Sequence, residues 1–261
     1  MNVARTMARS LPGTLKVVIR SLYRSLAKAT PDSPSRLALG YFGGFEIAYR
    51  KGTADEEVLK HSFDNDIFFS GCPEYKPDEK DVIIDVGAHI GTFSLLASSK
   101  ARRGKIYAIE AGGDSFILLR INVALNQCAN ISVHHLAIGD KDGTCTLHHG
   151  RGSWSHSTVK RLSKSSESVA CCTLATFLER NRIERCHFMK LNCEGAEFPI
   201  LLSTKSNVLN RFQTILVLYH CDLWRPNTEN DLITHLESSG FRCVIRNRST
   251  NRGWIIATQR Q

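Results

Sequence analysis

The sequence predicts an α/β protein: a mostly parallel sheet with helices on both faces and an antiparallel hairpin at its C-terminal end. Three observations predict it. From residue 82 onward, short apolar runs rich in β-branched residues alternate with segments of helical period. The first run stops at a small-residue turn, Asp85-Val-Gly87-Ala88-His89-Ile-Gly91, and passes straight into the helical pattern of residues 92–100. The last two runs, 242–246 and 254–258, are joined by a polar stretch with no helix between them, as in a hairpin.

Taken in order, residues 1–40 read as a basic arm and residues 41–261 as the folded domain. Within residues 14–29, Leu15, Val18, Ile19, Leu22 and Leu26 recur at helical spacing, with Lys16, Arg20, Arg24 and Lys28 on the neighbouring face. Such a helix suits three roles: contact with an anionic membrane surface, an import signal, or docking on the domain or on a second copy of the chain. Pro31 and Pro34 end it. Residues 45–49 alternate like a strand, and Thr53 with Glu56 predicts a capping box on a helix running to about Ser62. The core strands are expected at 82–86, 105–109, 131–136, 187–191 and 214–219, with a short extra strand at 144–148. Helices are expected at 92–100, 114–126, 173–181 and 196–210, and a last one starts at Thr228 with Asp231 as its cap partner. Residues 149–168, rich in Gly, Ser, His and Lys, read as a loop over the site.

Bulk properties narrow the class. A chain of 261 residues, 42% hydrophobic and 23% charged, is ordinary for a soluble globular protein with one well-buried core. The net charge of +9 is uneven: Arg5, Arg9, Lys16, Arg20, Arg24 and Lys28 all precede the first acid, Asp32. Positive charge therefore characterises the arm more than the domain, and no aromatic-interleaved basic patch argues for nucleic acid. The nine cysteines are odd in number and form no Cys-x-x-Cys, which fits reduced thiols in a cytoplasmic protein better than disulfides or zinc. His148, His149, His156, Cys171 and Cys172 likewise lack metal-ligand spacing, so no metal is expected. No apolar run approaches the roughly 20 residues that span a bilayer.

Strand ends in such a sheet converge on one crevice, so the polar groups at those ends carry the chemistry. They are Asp85 with the turn Gly87, Ala88, His89 and Gly91; Glu110; Asp140; Lys190, Asn192 and Glu194; and His220. A dinucleotide site wants Gly-x-Gly-x-x-Gly, but here no glycine stands where the second should approach a pyrophosphate. Asp85 would repel a phosphate, whereas Glu110, 23 positions beyond Gly87, can accept both hydroxyls of a ribose. The pattern suits the sulfonium amino acid and adenosine of S-adenosyl-L-methionine. The expected cofactor-binding residues are Asp85, Gly87, Ala88, His89, Gly91, Glu110 and Asp140. Lys190 is read either as a site residue or as a structural ion pair with Glu194 or Glu197, and Trp154 as a residue able to stack on an acceptor.

The blocks Asp85-Val-Gly-Ala-His-Ile-Gly-Thr-Phe, Ile109-Glu110, Asn122-Val-Ala-Leu-Asn126, Ala137-Ile-Gly-Asp-Lys-Asp-Gly143, Thr173-Leu and Met189-Lys-Leu-Asn-Cys-Glu-Gly-Ala-Glu197 resemble the FkbM family of S-adenosylmethionine-dependent methyltransferases over about residues 45–258. The resemblance implies a class I methyltransferase fold, with a Rossmann-like, mostly parallel seven-stranded sheet. It also implies O-methylation of a sugar or secondary metabolite, hence a small-molecule or glycan hydroxyl as acceptor. The chain departs from the family at Ala111, where proline is usual, and at Asn192, where aspartate is frequent; losing that carboxylate disfavours a divalent metal. His220 is the first candidate for the base that takes the hydroxyl proton and Glu194 the second, with Lys190 and Asn192 orienting acceptor or cofactor. The competing expectation is a non-catalytic scaffold that uses its basic arm to bind a membrane or partner.

Overall fold

The computed structural model describes residues 36–64, 66–150, 156–160, 165–224 and 226–260. The helix expected at 14–29 and Trp154 lie outside these residues.

The described residues open with a hairpin, β1 (Arg36–Phe42) and β2 (Phe45–Lys51), paired from Arg36↔Lys51 to Phe42↔Phe45. Gly43 and Gly44 both have positive φ (55° and 91°), the backbone that a two-residue hairpin turn demands. β1 begins at Arg36, within the stretch read from the sequence as the arm. After it come α1 (Asp55–Leu59) and a π-helical turn, Lys60–Asp64. The expected capping box is absent: Thr53 Oγ1 instead donates to Arg50 O and accepts the Asp55 N–H, and Ala54 occupies the cap position.

The main sheet follows the sequence reading: β3 (Val82–Val86), β4 (Lys105–Glu110), β5 (Ile131–His135), β9 (Cys186–Leu191) and β10 (Phe212–His220) run parallel, with β11 (Phe241–Arg246) and β12 (Arg252–Gln259) as the antiparallel end. The seven strands lie in the order β11-β12-β10-β9-β3-β4-β5. A small sheet, β6 (Ala137–Ile138), β7 (Gly143–His148) and β8 (Ser166–Cys172), stands beside it in the order β6-β8-β7. β8 occupies the end of the stretch read as loop.

Alternation along each strand explains the two-sided burial. Ile83, Ile106, Phe188 and Leu216 face α2 (Thr92–Lys100), α3 (Gly113–Leu125) and the N-terminal hairpin. Ile84, Met189, Leu191, Ile215 and Val217 face the other layer: α4 (Leu174–Arg180), α5 (Glu197–Ser203), α6 (Ser206–Leu209) and α7 (Glu229–Ser238). The single helix expected over 196–210 is two, interrupted at Thr204. The Thr228–Asp231 capping box is present. The chain leaves β3 toward β4 on one side and returns at β9 on the other, so a crevice opens at the carboxyl ends of these two strands.

Candidate functional site

A cavity of about 390 Å³ occupies that crevice, a size suited to one small ligand. Its walls come from the turn after β3, the ends of β4, β9 and β10, the small sheet, and the π-helical turn.

On one side the backbone builds the site. Gly87 has φ 77°, and a Cβ there would stand 1.9 Å from Asn192 O, so only glycine lets the turn pass this close to the β9 loop. Gly87 and Ala88 donate their N–H groups to Ile109 O at 3.0 and 2.9 Å. His89 follows in the left-handed region at φ 54°, which aims its N–H at Glu110 Oε2, 2.7 Å away. Gly112 N–H reaches Glu110 Oε1 at 2.8 Å. Glu110 is buried at the cavity wall with a backbone donor on each oxygen, and a carboxylate with four acceptor positions keeps two for a ligand. Ile109, Leu136, Ile138 and Leu147 make the apolar wall beside it.

The opposite side is built from side chains. After β9 the chain turns through Glu194 (φ 50°) and Gly195 (φ 98°). Glu197, fully buried at the start of α5, accepts the N–H groups of Cys193 and Gly195 and so pins this turn. Glu197 Oε1 also lies 3.2 Å from Nδ1 of His220, at the end of β10. Glu194 Oε1 lies 3.7 Å from His220 Nε2. Burial, the largest influence on His220, disfavours its imidazolium, but the charge and hydrogen bond of Glu197 and the charge of Glu194 outweigh it and raise its pKa above the ordinary value. Burial raises the Glu194 carboxyl as well; His220 opposes this and Glu197 adds to it. Arg252 stands opposite His220 in the β10–β12 pairing, holds Asp222 through two hydrogen bonds at 3.0 and 2.8 Å, and joins the cavity wall.

Several expected site residues take other places. Asp85 does not reach the cavity. It points with Ile83 toward α2, is fully buried, and accepts from Ser94 Oγ (2.7 Å) and Lys190 Nζ (2.8 Å). The Lys190 ion pair is thus with Asp85 rather than with Glu194 or Glu197. Lys190 also donates to Gly87 O at 3.0 Å, and its ammonium borders the cavity beside the rings of Phe68 and Phe93. Gly91 (φ 91°) serves the turn from outside the cavity, where a Cβ would meet Leu119 Cδ1 at 2.6 Å. Asp140 is exposed at the far end of β6; its neighbour Asp142 is the acid with a task, accepting from Thr173 N–H and Thr176 Oγ1 at the start of α4. Gly87, Ala88, His89, Glu110, Asn192, Glu194 and His220 do line the cavity. Arg252 and His156 line it too without having been expected. Burial drives the His156 pKa down to about 4, so its ring is neutral.

Residues 85–243 match the family model of the Methyltransferase FkbM domain. The chain belongs to the FkbM methyltransferase family. Among solved structures it is similar to methyltransferase FkbM from Methylobacillus flagellatus KT, at 12% identity and a TM-score of 0.50, over 73% of this chain and 47% of that one. The chain thus spans about half the length of that relative. A precorrin-6y C5,15-methyltransferase from Geobacter metallireducens GS-15 is also similar, at 13% identity and a TM-score of 0.48, over 82% of this chain and 94% of that one. No curated protein sequence matches the chain.

The cofactor of FkbM methyltransferases is S-adenosylmethionine, and the residues present fit it. Glu110 offers two acceptor positions beside an apolar wall, as a ribose and its base require. Asn192 Oδ1 is a buried acceptor with no partner among the described residues, at the edge of the same cavity, where a cationic amine or sulfonium would satisfy it. Among the described residues, no helix is long and apolar enough to cross a membrane.

Proposed function

We propose that the chain transfers a methyl group from S-adenosylmethionine to a hydroxyl oxygen of a sugar or other small polar metabolite. Glu110 binds the ribose hydroxyls, and Gly87, Ala88 and Asn192 border the rest of the donor. The reading rests on His220, a buried imidazole at the cavity wall between two carboxylates, 3.2 Å from Glu197 and 3.7 Å from Glu194.

When bound, S-adenosylmethionine supplies a methyl group already activated on a positively charged sulfur. What the chain must add is orientation of the hydroxyl and a place for its proton. Glu197, acting on Nδ1, fixes the neutral ring as the Nδ1–H form and leaves the Nε2 lone pair as acceptor. The proton moves to Nε2, and the imidazolium so formed stands between Glu194 and Glu197. Glu194 and Arg252 give this wall both a hydrogen-bond acceptor and donors, while Phe68 and Leu218 add apolar surface to the same cavity. That combination suits a polyol.

The experiment is methyl transfer to a panel of methyl glycosides, phenols and amines, followed by S-adenosylhomocysteine release, with His220→Ala and Glu194→Gln measured beside the wild-type chain. Hydroxyl-only turnover that His220→Ala abolishes is the expected result. Transfer confined to amines, or unchanged rates in both variants, overturns the reading.

A further inference from the structure

The N-terminal hairpin lies outside the matched family segment, yet two sets of contacts carry it to the cofactor turn. The first uses the asparagines of α3. Asn122, fully buried, accepts Ala48 N–H at 2.7 Å and donates to Ala48 O at 3.1 Å and to Ile90 O at 2.8 Å. Asn126 pairs with Glu46 in the same manner, at 2.9 and 2.8 Å. Side-chain amides thus act as the strand partner of β2, and one of them also grips the carbonyl just before Gly91.

The second set starts at Arg50, near the end of β2. Its buried guanidinium donates to Asp55 Oδ2 at 2.8 Å and Oδ1 at 3.0 Å, and to Ser115 Oγ at 3.0 Å. The His89 ring enters this cluster: Nε2 is 3.1 Å from Arg50 Nη2 and 3.2 Å from Asp55 Oδ1. Burial pushes the Asp55 carboxyl up, but His89 and Arg50 outweigh it and hold the group ionised far below the usual carboxylate range. The residue that this cluster grips by its ring is the one whose backbone N–H holds Glu110. Its left-handed φ of 54° is a conformation that residues with a Cβ seldom adopt, so it needs holding.

We propose that Arg50, Asp55 and Asn122 are positioning residues for cofactor binding, which fix the His89 turn and through its N–H aim the Glu110 carboxylate at the ribose. The proposal rests on the reading of Glu110 as the ribose-binding group. It gives the hairpin a function in ligand selection and separates it from a mere structural attachment, because only a positioning role makes recognition of the ribose hydroxyls depend on it.

The test is competition of adenosine, 2′-deoxyadenosine and 2′,3′-dideoxyadenosine against labelled S-adenosylmethionine on the full chain. Wild type is expected to lose about tenfold in affinity for each hydroxyl removed, the effect of a hydrogen bond to a charged group. Glu110→Gln flattens this series. Asp55→Asn and Arg50→Lys flatten it to within about threefold while far-UV circular dichroism stays that of the wild type. Should Asp55→Asn fail to fold, Arg50→Lys, which keeps the charge and loses the fork, decides alone. If folded variants keep the wild-type series while Glu110→Gln loses it, the positioning role is overturned and the reading of Glu110 stands. A wild-type chain indifferent to the hydroxyls overturns both.

Discussion

Glu110 and Glu194 wall the same cavity from the two strands that flank β3, Glu110 as the last residue of β4 and Glu194 in the turn after β9, yet they are solvated in opposite ways. Glu110 receives two backbone N–H groups, from His89 and Gly112. No backbone N–H reaches the Glu194 carboxylate among the described residues; its nearest charged partner is His220, 3.7 Å away, and burial raises its pKa. Backbone donors cannot titrate or swing away, so they fix a charge in one state. A side-chain neighbour that itself titrates shares its proton. One carboxylate is therefore suited to hold a ligand and the other to exchange a proton, although the residue type is the same and both stand at the carboxyl ends of the sheet.

The strongest way to break this comparison is on the titrating side. His220→Ala is expected to lower kcat by about 10²- to 10⁴-fold, the range of a lost general base, with the S-adenosylmethionine Kd unchanged by calorimetry. An equal loss in Kd would show that the two sides are not separable. Next is the buried ion pair between the two sides. Lys190→Met leaves Asp85 buried without its cation, at an expected cost of about 3–5 kcal/mol in urea unfolding. The double variant Asp85→Asn/Lys190→Met should recover most of that loss. Glu110→Gln is a smaller change, removing a charge-assisted acceptor worth about 1.5–3 kcal/mol, so the cofactor Kd should rise roughly 10- to 100-fold while saturated kcat stays put.

The smallest effect is the pH profile. The proposed base works as the neutral imidazole, so the rate is expected to rise with pH as His220 loses its proton. Glu197 and Glu194 raise the His220 pKa, which places this limb above the ordinary value of 6.5. Glu197→Gln removes one of the raising charges and should move the limb to lower pH. A limb that stays in place would assign it to another group.

Much of the fold was legible because a parallel sheet buried on both faces leaves apolar runs that hydropathy displays directly. β3 and β9 are such runs, and Glu110 could be recognised as an acid at the end of another. β8 was not legible: Ser166, Ser168 and Ala170 are exposed and only Val169, Cys171 and Cys172 are buried, too short and polar a pattern to set against a Ser- and Lys-rich neighbourhood. β1 was obscured by the basic arm before it, although Gly43-Gly44 was a hairpin signal available in the sequence. The site was less legible than the fold for a geometric reason. Whether Asp85 enters the crevice or the α2 layer depends on strand parity, and one residue of offset reverses the answer. Arg252 faces His220 through an antiparallel register that brings in a strand after the intervening helix, and no local motif announces it.

The Asp85–Lys190 pair has a kinetic consequence. Its members are 105 residues apart and lie directly opposite one another in the β3–β9 register, the seam where the two halves of the sheet meet. Contacts of such separation must repay a large loop-closure entropy before they form, and they come late. The same seam brings Asn192 against Gly87, and so creates the floor of the cavity proposed for the donor. An intermediate with only β3, β4 and β5 docked would carry Glu110 but not that floor. Cofactor capture during refolding should therefore appear with the slowest phase, making the ligand a reporter of the moment the sheet closes.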